Sequence, residues 1–469
     1  MTSDHSSNGN KYLYIAQEFS LPLLLGVVVA IVFANAAPDL YKRIVDKTYS
    51  FVLADDHKDE HGEDHGDEKH SDKKNNKEDA KQQGSTDVDS KETSDHDSDE
   101  AHSDKEHRDK EHSNEAHGDH GHDWKHYLTL HFIVNELFMV LFFGIAAKEI
   151  AESCLPGGAL NPVSKAINPL MGTIGGVLGP VGVYLALNAV MGQPEWARGW
   201  GIPTATDIAL AWLIARVVFG NGHPAISFLL LLAVADDGIG LMIIALFYPT
   251  APPVWLNALW VIPGIVVALT LRKFNVQAWS PYIVIGGAFS WWGLYSAHLH
   301  PALALVPIVP FLPGPKYDEG LFADKIETIE DDPLNRFEHD LKTFVDFGLF
   351  FFAFANAGVQ FESLSNLTWI VLLSLLVGKT IGITFFSWGA TFLGFPLPDG
   401  MKLKHLLMAG VIAGLGLTVA LFVAGQAFGN ADYRGASKMG ALFSGGIALL
   451  AIALGNWLGV KDGKPEKEK

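Results

Sequence analysis

The stretch Leu229–Leu246, LLLLAVADDGIGLMIIAL, decides how the chain is read. It is apolar over a length that crosses a hydrocarbon core, yet two adjacent acids, Asp236 and Asp237, sit in its middle. A carboxylate at the centre of a bilayer helix costs about 2.5–3.5 kcal/mol on insertion scales, so a tandem pair points to a use inside the membrane. Neighbours on a helix point about 100° apart. One acid can therefore face a water-filled cavity while the other turns to a partner on another helix.

Working outward, apolar runs of similar length recur near 18–37, 127–150, 165–190, 204–219, 224–248, 254–272, 278–296, 298–312, 340–362, 367–394, 404–428 and 437–460. The expected fold class is an all-α polytopic membrane protein with about twelve transmembrane helices. No cleavable signal peptide is evident, and the first apolar run, from Leu21 to Ala34, reads as a retained span. Arg272, Lys273, Lys316, Lys325, Arg336, Lys342, Lys402 and Lys404 fall in loops on the side of the termini, and only Arg198 and Arg434 stand out opposite. By the positive-inside bias the termini of this multi-pass protein are cytoplasmic.

The averages over 469 residues conceal an insertion. Residues 55–125 hold 25 Asp/Glu, 11 Lys/Arg and 11 His, a local charge of −14, leaving 23 basic against 27 acidic residues elsewhere. Such a segment cannot bury enough apolar surface to offset the entropy of ordering, so disorder outside the cell or in the periplasm is expected. Its histidines give it the composition to bind divalent metal weakly, but no fixed ligand spacing is present, and a solvated tether with no specific ligand is the plainer account. The expected organisation is an N-terminal tail at 1–17, the first span and the start of an external loop at 18–54, the acidic insertion at 55–125, the transmembrane transport region at 126–460, and a C-terminal tail at 461–469.

Several function classes drop out. Cys154 is the sole cysteine, which excludes an internal disulfide, a zinc ribbon and an iron–sulfur site built from this chain alone. The glycine-rich patches lie within apolar spans and lack a phosphate-cradling βαβ context. No nucleophile–base arrangement stands out, so neither an enzyme nor a resident cofactor is expected, and neither is a nucleic-acid partner; the partners are membrane lipid and small cations.

Two spans are wrong for plain helices. One opens Pro203-Thr204-Ala205-Thr206-Asp207, and another carries Gly414-Leu415-Gly416-Leu417-Thr418 in mid-membrane. Free backbone groups at membrane depth are tolerated only against protein or a wet cavity, and a pair of interrupted spans points to a transporter site. Close helix packing accounts for the glycines equally well when they are taken alone, and less well beside the charges that follow. Other ionisable groups at membrane depth are Glu136, Asp207 and Lys379, with His298 and His300 beside a span. Lys379 offers a counter-charge for one of the tandem acids, unless it snorkels from a helix end. An acid with hard oxygen ligands holds a proton or an alkali cation, each displacing the other. Competition of that kind, coupled to alternating access, is antiport.

The segments Thr204-Ala205-Thr206-Asp207-Ile208-Ala209, Ala235-Asp236-Asp237-Gly238, Phe352-Ala353-Phe354-Ala355-Asn356-Ala357-Gly358-Val359 and Gly378-Lys379-Thr380-Ile381-Gly382 resemble the signature segments of NhaA-type sodium/proton antiporters, in the family's order. The resemblance covers nearly all of the chain outside the insertion and the polar tails. It implies an NhaA-like fold with helices three to five and ten to twelve as inverted repeats and two unwound, crossing helices. It further implies that Asp237 is the principal Na⁺ ligand and proton site, that Asp236 is its partner and pairs with Lys379, and that Thr206 and Asp207 lie at the crossing, with breaks at Gly414 and Gly416. The transported ions would be Na⁺ or Li⁺ against more than one H⁺, with activation toward alkaline pH, and the assembly a homodimer. Near Lys148 the family's acid-rich segment reads GIAAKEIAES here, with Ala146 where an acid is expected and Glu149 and Glu152 as shifted substitutes. Those two acids, with His298 and His300, are the candidates for a pH response; interface packing is the plainer role for the histidines.

Two other readings compete: a carrier of divalent metal or an anion on the same scaffold, fed by the His-rich tract, and a non-transporting sensor or scaffold whose loop binds a partner. A scaffold has no need of the interior charges.

Overall fold

A backbone in lipid must satisfy its own amides, and long apolar runs do so by coiling. The computed structural model describes residues 21–46, 129–158, 160–161, 163–315 and 332–460. The tails at 1–17 and 461–469 and the insertion at 55–125 lie outside the described residues. In chain order the helices are α1 (Leu21–Ala36), α2 (Pro38–Asp46), α3 (Leu130–Ser153), α4 (Val163–Met191), α5 (Ile208–Phe219), α6 (Pro224–Phe247), α7 (Val261–Lys273), α8 (Gly287–Ser296), α9 (Pro333–Asn356), α10 (Asn366–Phe392), α11 (Leu403–Ala413), α12 (Leu417–Ala427) and α13 (Ala431–Trp457). Five of the described helices are long and apolar enough to cross a membrane, or seven if each of two bent pairs counts as one span.

Two sequence expectations need correction. The run at 298–312 forms no regular helix: it holds only 3₁₀ turns at Pro301–Leu303 and Val309–Phe311. Pro301, Pro307 and Pro310 each withdraw a backbone donor, so the i→i−4 ladder cannot build. The run expected to start at 204 is only the second half of a broken span. Its first half is a 3₁₀ segment, Pro194–Thr204, bent by 60° from α5. The second broken pair, α11 and α12, bends by 46°. Each pair sits between two long helices in chain order, the first between α4 and α6, the second between α10 and α13.

The seam between α4 and α10 is built on glycine, because small residues let backbones approach where lipid gives no hydrophobic drive for helices to associate. A Cβ on Gly175 would lie 2.1 Å from the carbonyl oxygen of Gly382, and one on Gly382 would lie 2.0 Å from that of Gly175. Gly378 meets the backbone of Pro180 in the same way. The seam positions Lys379, the next residue, which follows a π turn at Ser374–Gly378 within α10.

Gly175→Ala is expected to destabilise the protein by about 1–3 kcal/mol through overpacking against backbone. Gly389→Ala, on the same helix as Gly382 but with open space at its Cβ, is expected to be neutral or to stabilise by up to about 1 kcal/mol through helix propensity. Unfolding of the two purified variants in detergent checks the contrast.

Candidate ion-binding site

The two breaks meet. The backbone N–H of Asp207 in the first donates to the carbonyl of Leu415 in the second at 2.6 Å. Gly416 leaves no room there, since a Cβ on it would reach the Ala205 carbonyl oxygen at 3.0 Å and Leu375 at 2.7 Å. Its N–H donates to the Ser444 hydroxyl at 3.3 Å. Gly414 ends α11 and Gly416 precedes α12, so the expected breaks lie where the chain unwinds.

Interrupted helices bring unsatisfied donors and partial positive charge at their N-termini, and acceptors with partial negative charge at their C-termini. Asp207 answers both N-termini with one side chain. Its Oδ1 accepts the N–H of Leu210 in α5 at 3.1 Å. Its Oδ2 accepts the hydroxyl of Thr418 in α12 at 2.9 Å and that residue's N–H at 3.3 Å. The negative end of α11 is answered by Thr206, whose hydroxyl lies 3.0 Å from the Ala413 carbonyl oxygen.

Thr206 also touches the tandem acids' partner. Lys379, wholly buried rather than at a helix end, donates to the Thr206 hydroxyl at 2.7 Å and pairs with Asp236 Oδ2. That same Oδ2 is 2.8 Å from Thr206 Oγ1. Having one proton, the Thr206 hydroxyl accepts from Lys379 and donates either to Asp236 or to Ala413.

The two acids differ in what surrounds them. Asp236 is fully buried, and its Oδ1 points toward Gly176 of α4. Asp237 lines a cavity of about 10 Å³ together with Phe142, Phe143, Ala146, Leu241 and Val419, the scale of a single water. Its Oδ1 is buried and has no hydrogen-bond partner. Glu149 of α3 acts on Asp237 electrostatically, as do Asp236, Lys379 and Asp207. Glu152 faces elsewhere, pairing with Lys148 at 2.6 Å.

Neither His298 nor His300 lines the cavity beside Asp237. The exposed His298 adopts a left-handed φ of 59° and donates from Nδ1 to the Pro252 carbonyl at 3.0 Å. The buried His300 donates from Nε2 to the Tyr248 carbonyl and packs edge-on against Phe422. Sequence reasoning missed three contributors. Thr418 and Ser444 are polar side chains far along the chain from the groups they bind, and Glu338 pairs with the buried Lys148 at 2.5 Å across 190 positions. The buried lysine was the only signal that an acid had to exist opposite it.

Comparison with known proteins decides the class. A family described as Na⁺/H⁺ antiporter 1 matches residues 107–455. A Na⁺/H⁺ antiporter NhaA of Desulfitobacterium hafniense is 49% identical over 465 residues, covering 97% of this chain and 98% of that protein. Another, of Geobacter sulfurreducens, is 60% identical over 340 residues, covering 71% of this chain and 88% of its own length. The chain belongs to the NhaA family of Na⁺/H⁺ antiporters. Membership in the NhaA family makes it a multi-pass transporter rather than an enzyme.

Asp207→Ala removes the caps of two helices, and a loss of about 2 kcal/mol is expected at about 1 kcal/mol per cap. Asp207→Asn keeps one acceptor oxygen and is expected to lose roughly half as much. Denaturant unfolding of the two variants measures the ratio.

Proposed function

We propose that the chain exports Na⁺, or Li⁺, in exchange for H⁺, with cation and proton competing for Asp237, and so serves sodium and pH homeostasis. The observation that carries this reading is the unequal treatment of two adjacent carboxylates. The Oδ2 of Asp236 is committed to Lys379 and Thr206, whereas Asp237 has no ion-pair partner among the described residues and lines a water-sized cavity; the Oδ1 of each is buried without a hydrogen bond. A carboxylate placed so takes a proton or a desolvated cation, but not both. Asp236 then serves as partner: releasing Lys379 would offer a second carboxylate to the cation. Thr206 and Asp207 hold the crossing, with Gly414 and Gly416 supplying the unwound backbone. An exchange of position between the two broken pairs gives alternating access, as in transporters built from inverted repeats.

This reading keeps the twelve-span, NhaA-like arrangement, with inverted repeats around the breaks. It puts the termini in the cytoplasm of a bacterial cell, the acidic tract on the external side, and the functional unit as a homodimer in membrane lipid. Glu149, through its action on Asp237, is the strongest of the four pH-response candidates. A metal-carrier reading gains no support from the interior, where the described residues contain no group of three or more His, Cys, Asp or Glu able to hold a metal ion.

In proteoliposomes of the purified protein, added Na⁺ is expected to dissipate an imposed proton gradient, and Asp237→Asn is expected to abolish the response; full activity in that variant would refute the site. Deleting residues 55–125 is expected to leave Na⁺/H⁺ exchange in place. Exchange that vanishes on deletion and returns with added divalent metal would favour the carrier reading instead.

A further inference from the structure

The helix that carries the tandem acids and the helix that leads into the second break touch through two imidazoles. His223 is the N-cap of α6, where its Nδ1 accepts the N–H of Ala225 at 3.1 Å. His405 lies in the first turn of α11, where its Nδ1 accepts the N–H of Lys402 at 3.1 Å. The rings meet edge to face, with centroids 4.6 Å apart and planes at 82°. Phe219 of α5 stacks on His223 at 5.4 Å and stands edge-on to His405 at 6.3 Å. Both imidazoles are buried.

An imidazole that accepts at Nδ1 carries its proton on Nε2. The pair therefore presents N–H groups rather than lone pairs, which suits neither ring to a metal. Protonation would add a hydrogen to Nδ1, and each backbone amide would lose its acceptor. It would also place a cation at the positive end of a helix, and two such cations would face each other. Among the described residues no carboxylate pairs with either ring; the acid nearest along the chain is Asp399, in the loop before α11, next to Gly400, which lies against Pro224. The groups acting on His405 include His223, Lys404 and Lys402, together with a hydrogen bond to the Gly400 backbone. Of the elements packed on this end, α5 carries only Arg216, which donates to Asn221 and lies over Trp212. The Ile447–Trp457 part of α13 has no titratable group, α10 has only Lys379, and α4 has only Lys165 and Tyr184. On α3, Glu152 is paired with Lys148, and Glu149 acts on Asp237.

We propose that His223 and His405 form a latch that holds the N-terminal ends of α6 and α11 together when neutral and opens in acid, lowering exchange by a route separate from proton competition at Asp237. The transport consequence rests on the function proposed above; the latch itself does not. Burial holds the His223 imidazole below its ordinary value, so the sign is fixed. The contact contributes stability above the ordinary histidine range, about pH 6.5, and loses it as pH falls. Opening frees the start of α11, whose last carbonyl, Ala413, is bound by Thr206 beside Asp236 and Lys379.

Amide hydrogen exchange on the full-length protein in detergent reads the latch directly. After correction for intrinsic rates, protection at Ala225 and Lys402 is expected to fall about fivefold for each cap lost between about pH 8 and about pH 5.5. Asn at an N-cap and Gln at N3 accept the same bonds without titrating, so the H223N/H405Q protein is expected to keep its protection in acid. Its exchange activity is expected to match wild type at alkaline pH and to persist to lower pH. Unchanged wild-type protection between the two pH values overturns the latch even if the variant does not fold. Protection that falls while the variant keeps the wild-type acid limb overturns its link to transport. Failure of exchange at Asp237 would leave the protection measurement untouched, so the two ideas fail separately.

Discussion

Everything at the centre of this molecule follows from the desolvation of broken helix ends. Interrupting two helices at membrane depth strands donors and acceptors that lipid cannot satisfy, each worth several kcal/mol if left alone. The crossing lets the ends answer one another, through the Asp207 to Leu415 bond and the double cap by Asp207. What the backbone cannot settle falls to charged side chains of matching sign, a carboxylate at the N-termini and, through Thr206, an ammonium beside a C-terminus. The ionisable groups at this depth are thus bound to the irregular backbone they neutralise, and neither could be removed alone without exposing the other.

The unequal fates of Asp236 and Asp237 come from the same geometry. On α6 the two side chains diverge, so only one can meet α10, and the glycine seam fixes which. Gly378 seats α10 against Pro180, Lys379 follows at once, and Gly176 leaves space beside Asp236 Oδ1. A buried pair such as Asp236–Lys379 adds little net stability, since its desolvation offsets its attraction. Its persistence makes more sense as a specification of which carboxylate stays unpaired.

Much of this was readable in the sequence because membrane depth penalises charge so heavily. The tandem acids, Lys379, Asp207 and the glycine-marked second break stand out against apolar runs, and signature segments tie them to one family. The remainder depends on contacts distant along the chain. Pro194–Thr204, with two glycines, two prolines and charges at Glu195 and Arg198, has the local chemistry of a loop; it becomes half of a span because Tyr184 and Tyr248 donate to its carbonyls at 2.7 and 2.9 Å. The run at 298–312 misleads in the opposite sense, since hydropathy records its apolar side chains but not the amide protons its prolines lack. Thr418 reads as one more residue of an apolar helix until Asp207, 211 positions away, is placed against it.

Helix ends at the membrane surface obey the same rule as those at its centre, with a different choice of side chain. Asp207 caps with a carboxyl whose two oxygens accept from both helix N-termini, which suits a crossing that must hold throughout a transport cycle. His223 and His405 cap with neutral rings, whose ability to accept depends on proton concentration. Asn or Ser would cap α6 as well or better, so imidazole is a poor choice if capping were the whole requirement. Two such rings in contact, each on a helix that runs to the crossing, place a titratable joint at the far end of the lever from Asp237. A protein whose cargo is the proton has reason to let that same species govern how its helices are held.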